Sequence, residues 1–424
     1  MFLLSLLACA PLSLTAGAVG APDDPLIVHE WGTFTSMQGS DGVVLEGMQH
    51  EEERLPHFVY SRTEVRECPF RKYGYKGLEV PVENVTQKME TPVIYFHSET
   101  ERRLKVRVDF VDGLLTQWYP VSDRLGPEEK AMGDGPLDLT EVERSFLEWE
   151  IDLIPNDRPA PSEIYPVDEG DPWALARDVD SAFVRTVPRN TTIGRVGPTE
   201  AENYLFYRGL GTFELPLTVA AGADGEGRLD NDGEQALPAV FALEIRGETG
   251  RWMPLGGVGP GESRGYDLGP KPLEDKAAVV AALKDAVQTS LEAQGLYGDE
   301  AAAMVATWSR QWFGTEGSRL IYLVPRAITD GLLPLSIEPA PDELVRVLVG
   351  RLEYLTPEVE ARTIEALKQR IEGADEATRD AAFSWLMARD RFLEPHLRRA
   401  IASSEDPVVR QSALDLLVIL SPGE

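Results

Sequence analysis

The chain has 424 residues, 43% hydrophobic and 26% charged, a balance that excludes disordered, collagenous and membrane-embedded classes. Its 41 Lys and Arg face 71 Asp and Glu, and the resulting net charge of −30 repels a phosphate backbone, which argues against a nucleic-acid partner. At one domain per roughly 150 residues, the length predicts about two to three domains.

Residues 1–21 read as a secretory signal peptide: an apolar run broken by Pro11 and Gly17, then small residues, then Pro22-Asp23-Asp24-Pro25. The run is too short for a spanning helix, which needs about 20 consecutive apolar residues, and no later segment reaches that length, so no transmembrane segment is expected. Export to the periplasm, the cell surface or the medium follows. Leu6-Leu7-Ala8-Cys9 offers a rival reading as a lipobox with a lipid anchor at Cys9. Removal of Cys9 leaves Cys68 alone, so no internal disulfide framework is expected.

From residue 22 to 272 the pattern predicts a β-rich, sandwich-like region of one or two sandwiches. Segments 92–97 and 104–111 alternate apolar and polar residues and read as a hairpin around residues 98–103. Further strands are predicted at 146–154 and 203–207, with an extended surface connection over 157–171. The acidic, glycine-bearing stretch 222–234 departs from calcium-loop spacing and reads as a hairpin turn. The strands around it suggest a small sandwich or a continuation of the first sheet.

Residues 273–350 form an α+β unit: helical periodicity over 277–294, a helix opened by Asp299-Glu300, and strands at 319–324 and 344–349. Residues 351–424 form a HEAT-like helical tail. There Asp375, Arg379, Ala382 and Leu386 align with Asp406, Arg410, Ala413 and Leu417, and Thr356-Pro357 opens a further helix with the same start chemistry. About three such repeats are needed to stand alone, so the tail is expected to lean on the rest of the chain or on a partner protein.

Four of the five histidines, His29, His50, His57 and His97, fall in the first quarter of the chain, near Glu30, Glu51 and Glu52. Imidazoles and carboxylates from different strands are the ligands that zinc or another divalent transition metal takes, with Glu30 as the candidate base on a metal-bound water. Met37 and Met48 hint at copper, but lone methionines usually fill cores. No G-x-S-x-G, phosphate loop or dinucleotide fingerprint occurs. Trp118, Tyr119 and Trp149 read as packing residues rather than a sugar platform. The balance favours an exported binding or scaffold protein, with a metal-dependent hydrolase as the alternative.

The segments Val28-His-Glu-Trp-Gly-Thr-Phe-Thr35, Met89-Glu-Thr-Pro-Val-Ile-Tyr-Phe-His97, Trp118-Tyr119-Pro120 and Tyr204-Leu-Phe-Tyr-Arg-Gly209 carry a resemblance. With Trp312-Phe313 and Tyr322-Leu-Val-Pro-Arg326, they resemble an uncharacterised family of exported bacterial proteins over most of residues 27–350. The resemblance implies a shared architecture around His29-Glu30-Trp31-Gly32 and assigns no activity.

Overall fold

The computed structural model describes residues 24–51, 55–62, 82–127, 136–188 and 199–420. The signal-peptide and lipobox readings and Cys68 lie outside them. The protein is a mixed α/β structure whose first strand, Ile27–Gln38, is buried from residue 28 onwards. It sits inside a ten-stranded sheet, parallel to Glu343–Tyr354 on one side and antiparallel to Gln87–His97 on the other. A strand covered on both faces must be apolar or paired at every position. Val28 and Phe34 fill one side, and Trp31 and Met37 the other.

That pairing joins two regions that the composition separates. The strand Gly317–Val324 bonds Leu237–Arg246 on one edge and Glu343–Tyr354 on the other, so strands from both 22–272 and 273–350 lie in one sheet. One hydrophobic core runs from Leu26 to Tyr354. The expected boundary at 272 therefore does not separate two cores. Within this region Leu217–Ala221, Glu226–Asn231 and Ser263–Asp267 form a three-stranded sheet, so the stretch 222–234 turns only at residues 222–225 and most of the rest of it is a strand.

The hairpin expected from 92–97 and 104–111 does not form. Gln87–His97 belongs to the large sheet, whereas Arg102–Val111 belongs to a six-stranded sheet between Arg144–Ile154 and Leu335–Glu338. Residues 92–96 are buried throughout, while Arg102–Val111 keeps a solvated face, so the two strands suit different sheets. Residues 98–101 turn a corner instead, held where Asp24 accepts hydrogen bonds from Glu99 N at 2.9 Å and Arg102 Nη2 at 2.9 Å.

Two glycines are required by close approach. A Cβ on Gly32 would stand 2.8 Å from Pro92 Cα, where the first strand passes an irregularity in its neighbour. A Cβ on Gly350 would stand 2.2 Å from Tyr322 Cζ, a fully buried ring. Gly350→Ala is therefore expected to cost about 1–3 kcal/mol through overpacking, read as a lowered urea midpoint. A midpoint equal to that of the parent protein would contradict the packing described.

Helices α1 (Pro172–Ala176), α2 (Lys276–Glu292), α3 (Gly298–Trp312) and α4 (Arg326–Leu332) accompany the sheets. Both α1 and α2 pack on α3, which lies over the His29 face of the large sheet with Trp308 5.3 Å from Trp31. The tail consists of α5 (Pro357–Glu372), α6 (Glu376–Met387), α7 (Leu393–Ser403) and α8 (Pro407–Leu420), around a core of its own. Its start signals act as read: Thr356 and Asp375 cap α5 and α6, and Asp406 Oδ1 accepts from Val408 N at 2.9 Å. Among the contacts that fasten it to the sheet region are Arg391 to Glu90 at 2.5 Å, His50 to Glu394 at 2.7 Å, and Arg399 to Asp41 at 3.0 Å. Among the described residues no helix is long and apolar enough to cross a membrane.

Candidate metal site

The register of the first two paired strands sets Ile27 opposite His97 and His29 opposite Tyr95. His29 and His97 thus point to the same face as diagonal neighbours, with ring centroids 5.2 Å apart. The third member comes from α3. Glu300 sits at the third helical position, where its Oε2 accepts from Tyr297 N at 2.8 Å and caps the helix start. That cap directs the carboxylate at the sheet. Its Oε2 lies 2.6 Å from His29 Nδ1 and its Oε1 lies 3.0 Å from His97 Nε2.

His29 and Glu300 are fully buried, His97 keeps 14% of its side chain exposed, and the Tyr297 ring lies 4.5 Å and 4.9 Å from the two imidazoles. Burial alone would raise the Glu300 carboxyl, but the hydrogen bonds from His29 and His97 outweigh it and hold the group below its ordinary value. Burial and the carboxylates of Glu343, Glu300 and Asp299 push the Tyr297 phenol up.

One ligand atom from each of His29, His97 and Glu300 lies within 4.8 Å of the others. Donors on a common tetrahedral shell of about 2.0–2.2 Å radius stand about 3.3–3.6 Å apart, so to seat a zinc-sized ion the contacts of Glu300 with His29 at 2.6 Å and with His97 at 3.0 Å would open by up to about 1 Å. One further feature matches the chemistry of a ligating histidine: His97 Nδ1 stands 3.1 Å from the Asp180 carbonyl, the outer bond that orients a metal-bound imidazole.

The other expected site residues do not join them. Glu30 lies on the opposite face of the strand from His29, because consecutive strand residues alternate. It is bound to Arg346 at 2.5 Å and to the Tyr207 hydroxyl, so it is not the base of this site. His50 is committed to Glu394 in the tail, and His57 packs against Phe58 and Tyr165. Of the four clustered histidines, the structure brings together two. Met37 and Met48 belong to a small apolar core, and Trp118, Tyr119 and Trp149 are buried in packing. The site residue that the sequence alone does not single out is Glu300, which reads there only as part of a helix start. Its place at the third helical position was the available signal, since a capping carboxylate is held at a fixed point against whatever the helix covers.

No protein-family model matches the chain. No curated protein matches it. Among solved structures it is similar to the yeast delta-COP-I mu-homology domain complexed with Dsl1 WxWxV peptide, at 6% identity and a TM-score of 0.24, covering 79% of this chain and 98% of that one. The yeast delta-COP-I mu-homology domain alone is similar at 7% identity and a TM-score of 0.25, with 79% and 98% covered. Likeness at so low a TM-score supports no statement about fold or function.

Proposed function

We propose that the protein is an exported binding protein that holds one divalent transition metal between His29, His97 and Glu300 and offers its helical tail to a partner protein. The convergence of three ligand atoms within 4.8 Å, from two strands and a helix, carries the metal reading. Two imidazoles and one carboxylate suit zinc and its first-row neighbours. Support for export is the N-terminal sequence. Support for a docking tail is its HEAT-like repeat pattern and the exposed apolar side chains of Phe383, Met387, Leu414 and Val418. A metal-dependent hydrolase is the second reading, because three protein ligands are the number that catalytic zinc takes, leaving its fourth position to water. That reading needs a general base other than Glu30.

The test is elemental analysis of protein purified without an affinity tag, together with thermal unfolding in the presence of added zinc, nickel or manganese. Near-stoichiometric metal is expected in the parent protein and its loss in His29→Ala and His97→Ala, with His57→Ala unchanged. A hundredfold excess of metal over Kd adds about 2.7 kcal/mol of stability, enough to move the melting temperature visibly. Protein that carries no metal and gains no stability from any of the three ions would overturn the site.

A further inference from the structure

Beside the same helix, and independent of the metal site, lies a cavity of about 60 Å³ walled by Trp31, Trp173, Trp308 and Trp312. Polar groups enter it at Arg208, Glu51 and Glu90. Arg208 Nη1 bonds Glu51 Oε2 at 2.5 Å, but its Nε is buried without a partner, and only 9% of the side chain is exposed. A buried guanidinium N–H left unbonded costs free energy that an incoming acceptor would recover.

The unbonded N–H of Arg208 sits in a network of ion pairs. Lys88 faces three acceptors, His50 O at 2.6 Å, Gln49 O at 3.5 Å and Glu51 Oε2 at 3.0 Å, which uses all three ammonium hydrogens. Lys88, Arg208 and Arg391 thus set three cations against Glu51 and Glu90. Asp171, also in the wall, caps α1 by accepting from Trp173 N at 2.8 Å and adds a third carboxylate, so the three cations are balanced and the Arg208 N–H itself is what an incoming carboxylate would gain.

Size limits the ligand. One water needs about 10–15 Å³ of such space, so the cavity holds about four to six non-hydrogen atoms. Indole walls favour an apolar body, and the nearby carboxylates disfavour a dianion. We propose that this cavity binds a short-chain monocarboxylate, its carboxylate on Arg208 and its alkyl stem between the tryptophans.

The test uses the full chain and its own fluorescence, since four of the eight tryptophans line the cavity. Sodium propionate is titrated at constant ionic strength, with sodium phosphate and trimethylammonium chloride as comparison ligands. A saturable change with propionate alone is expected. Arg208→Lys, which keeps a cation for Glu51, should weaken binding at least tenfold, and Ala176→Leu, which fills the cavity and leaves Arg208 in place, should abolish it. Circular dichroism establishes that each variant is folded. The proposal is overturned by a flat propionate titration of the folded parent protein, by saturation with phosphate or trimethylammonium at similar strength, or by unchanged affinity in a folded variant.

Discussion

Glu90→Ala is expected to lower the unfolding free energy by about 3–5 kcal/mol, the cost of breaking a buried ion pair by removing one partner. Glu90 is 7% exposed, with Oε1 2.5 Å from Arg391 Nη1 and Oε2 accepting from Thr35 Oγ1 at 2.7 Å. Burial pushes its carboxyl up, but Arg391, Lys88 and Arg208 outweigh burial and hold it well below the carboxylate range. The stabilisation is therefore complete at neutral pH and fades only as pH falls below the ordinary value of 4.5 and towards the depressed folded one. Because Glu90 lies in the sheet and Arg391 precedes α7, the loss also loosens the tail. The exposed Arg103–Asp152 pair is the contrast: with 57% and 28% of the two side chains in solvent, Asp152→Ala is expected to cost less than about 1 kcal/mol. Urea unfolding at pH 7.5 measures both, and a Glu90→Ala protein within 1 kcal/mol of its parent would sink the assignment.

Local features of this protein are legible in its sequence, and pairings are not. The strands Arg144–Ile154 and Gly317–Val324 and the caps Thr356 and Asp375 lie close to where alternation and start chemistry put them, because those signals act within a few residues. The parallel pairing of Ile27–Gln38 with Glu343–Tyr354 depends on contacts more than 300 positions apart, which leave no local trace. Nor did adjacency predict the hairpin at residue 98, since strand neighbours in sequence need not share a sheet. Histidine clustering found His29 and His97, and missed Glu300 for the same nonlocal reason. Alternation alone parts Glu30 from the site, since a strand that carries His29 inward on one face carries Glu30 to the other.

Acid is expected to destabilise the tail through His396, by about 2 kcal/mol between pH 7.5 and pH 5. The ring is 5% exposed between α7 and α5, where Thr363 Oγ1 donates to Val359 O at 2.9 Å and so accepts from His396 Nδ1 at 3.2 Å. That arrangement needs one ring proton and gives no counter-charge to a second. Burial, helped by the Arg389 guanidinium, pushes the imidazole from 6.5 down to about 3. The folded state then stays neutral where the unfolded chain takes up a proton. Stability is accordingly full above pH 6.5, falls with pH below it, and stops falling from this cause near pH 3. Carboxylates and the other histidines also titrate over this range, but they do so equally in His396→Gln, which keeps a polar side chain of similar reach. Urea unfolding of the two proteins at pH 7.5, 6 and 5 isolates the difference. The variant should show the shallower decline, and parallel pH profiles would mean that His396 takes up its proton in the folded protein as readily as in the unfolded chain.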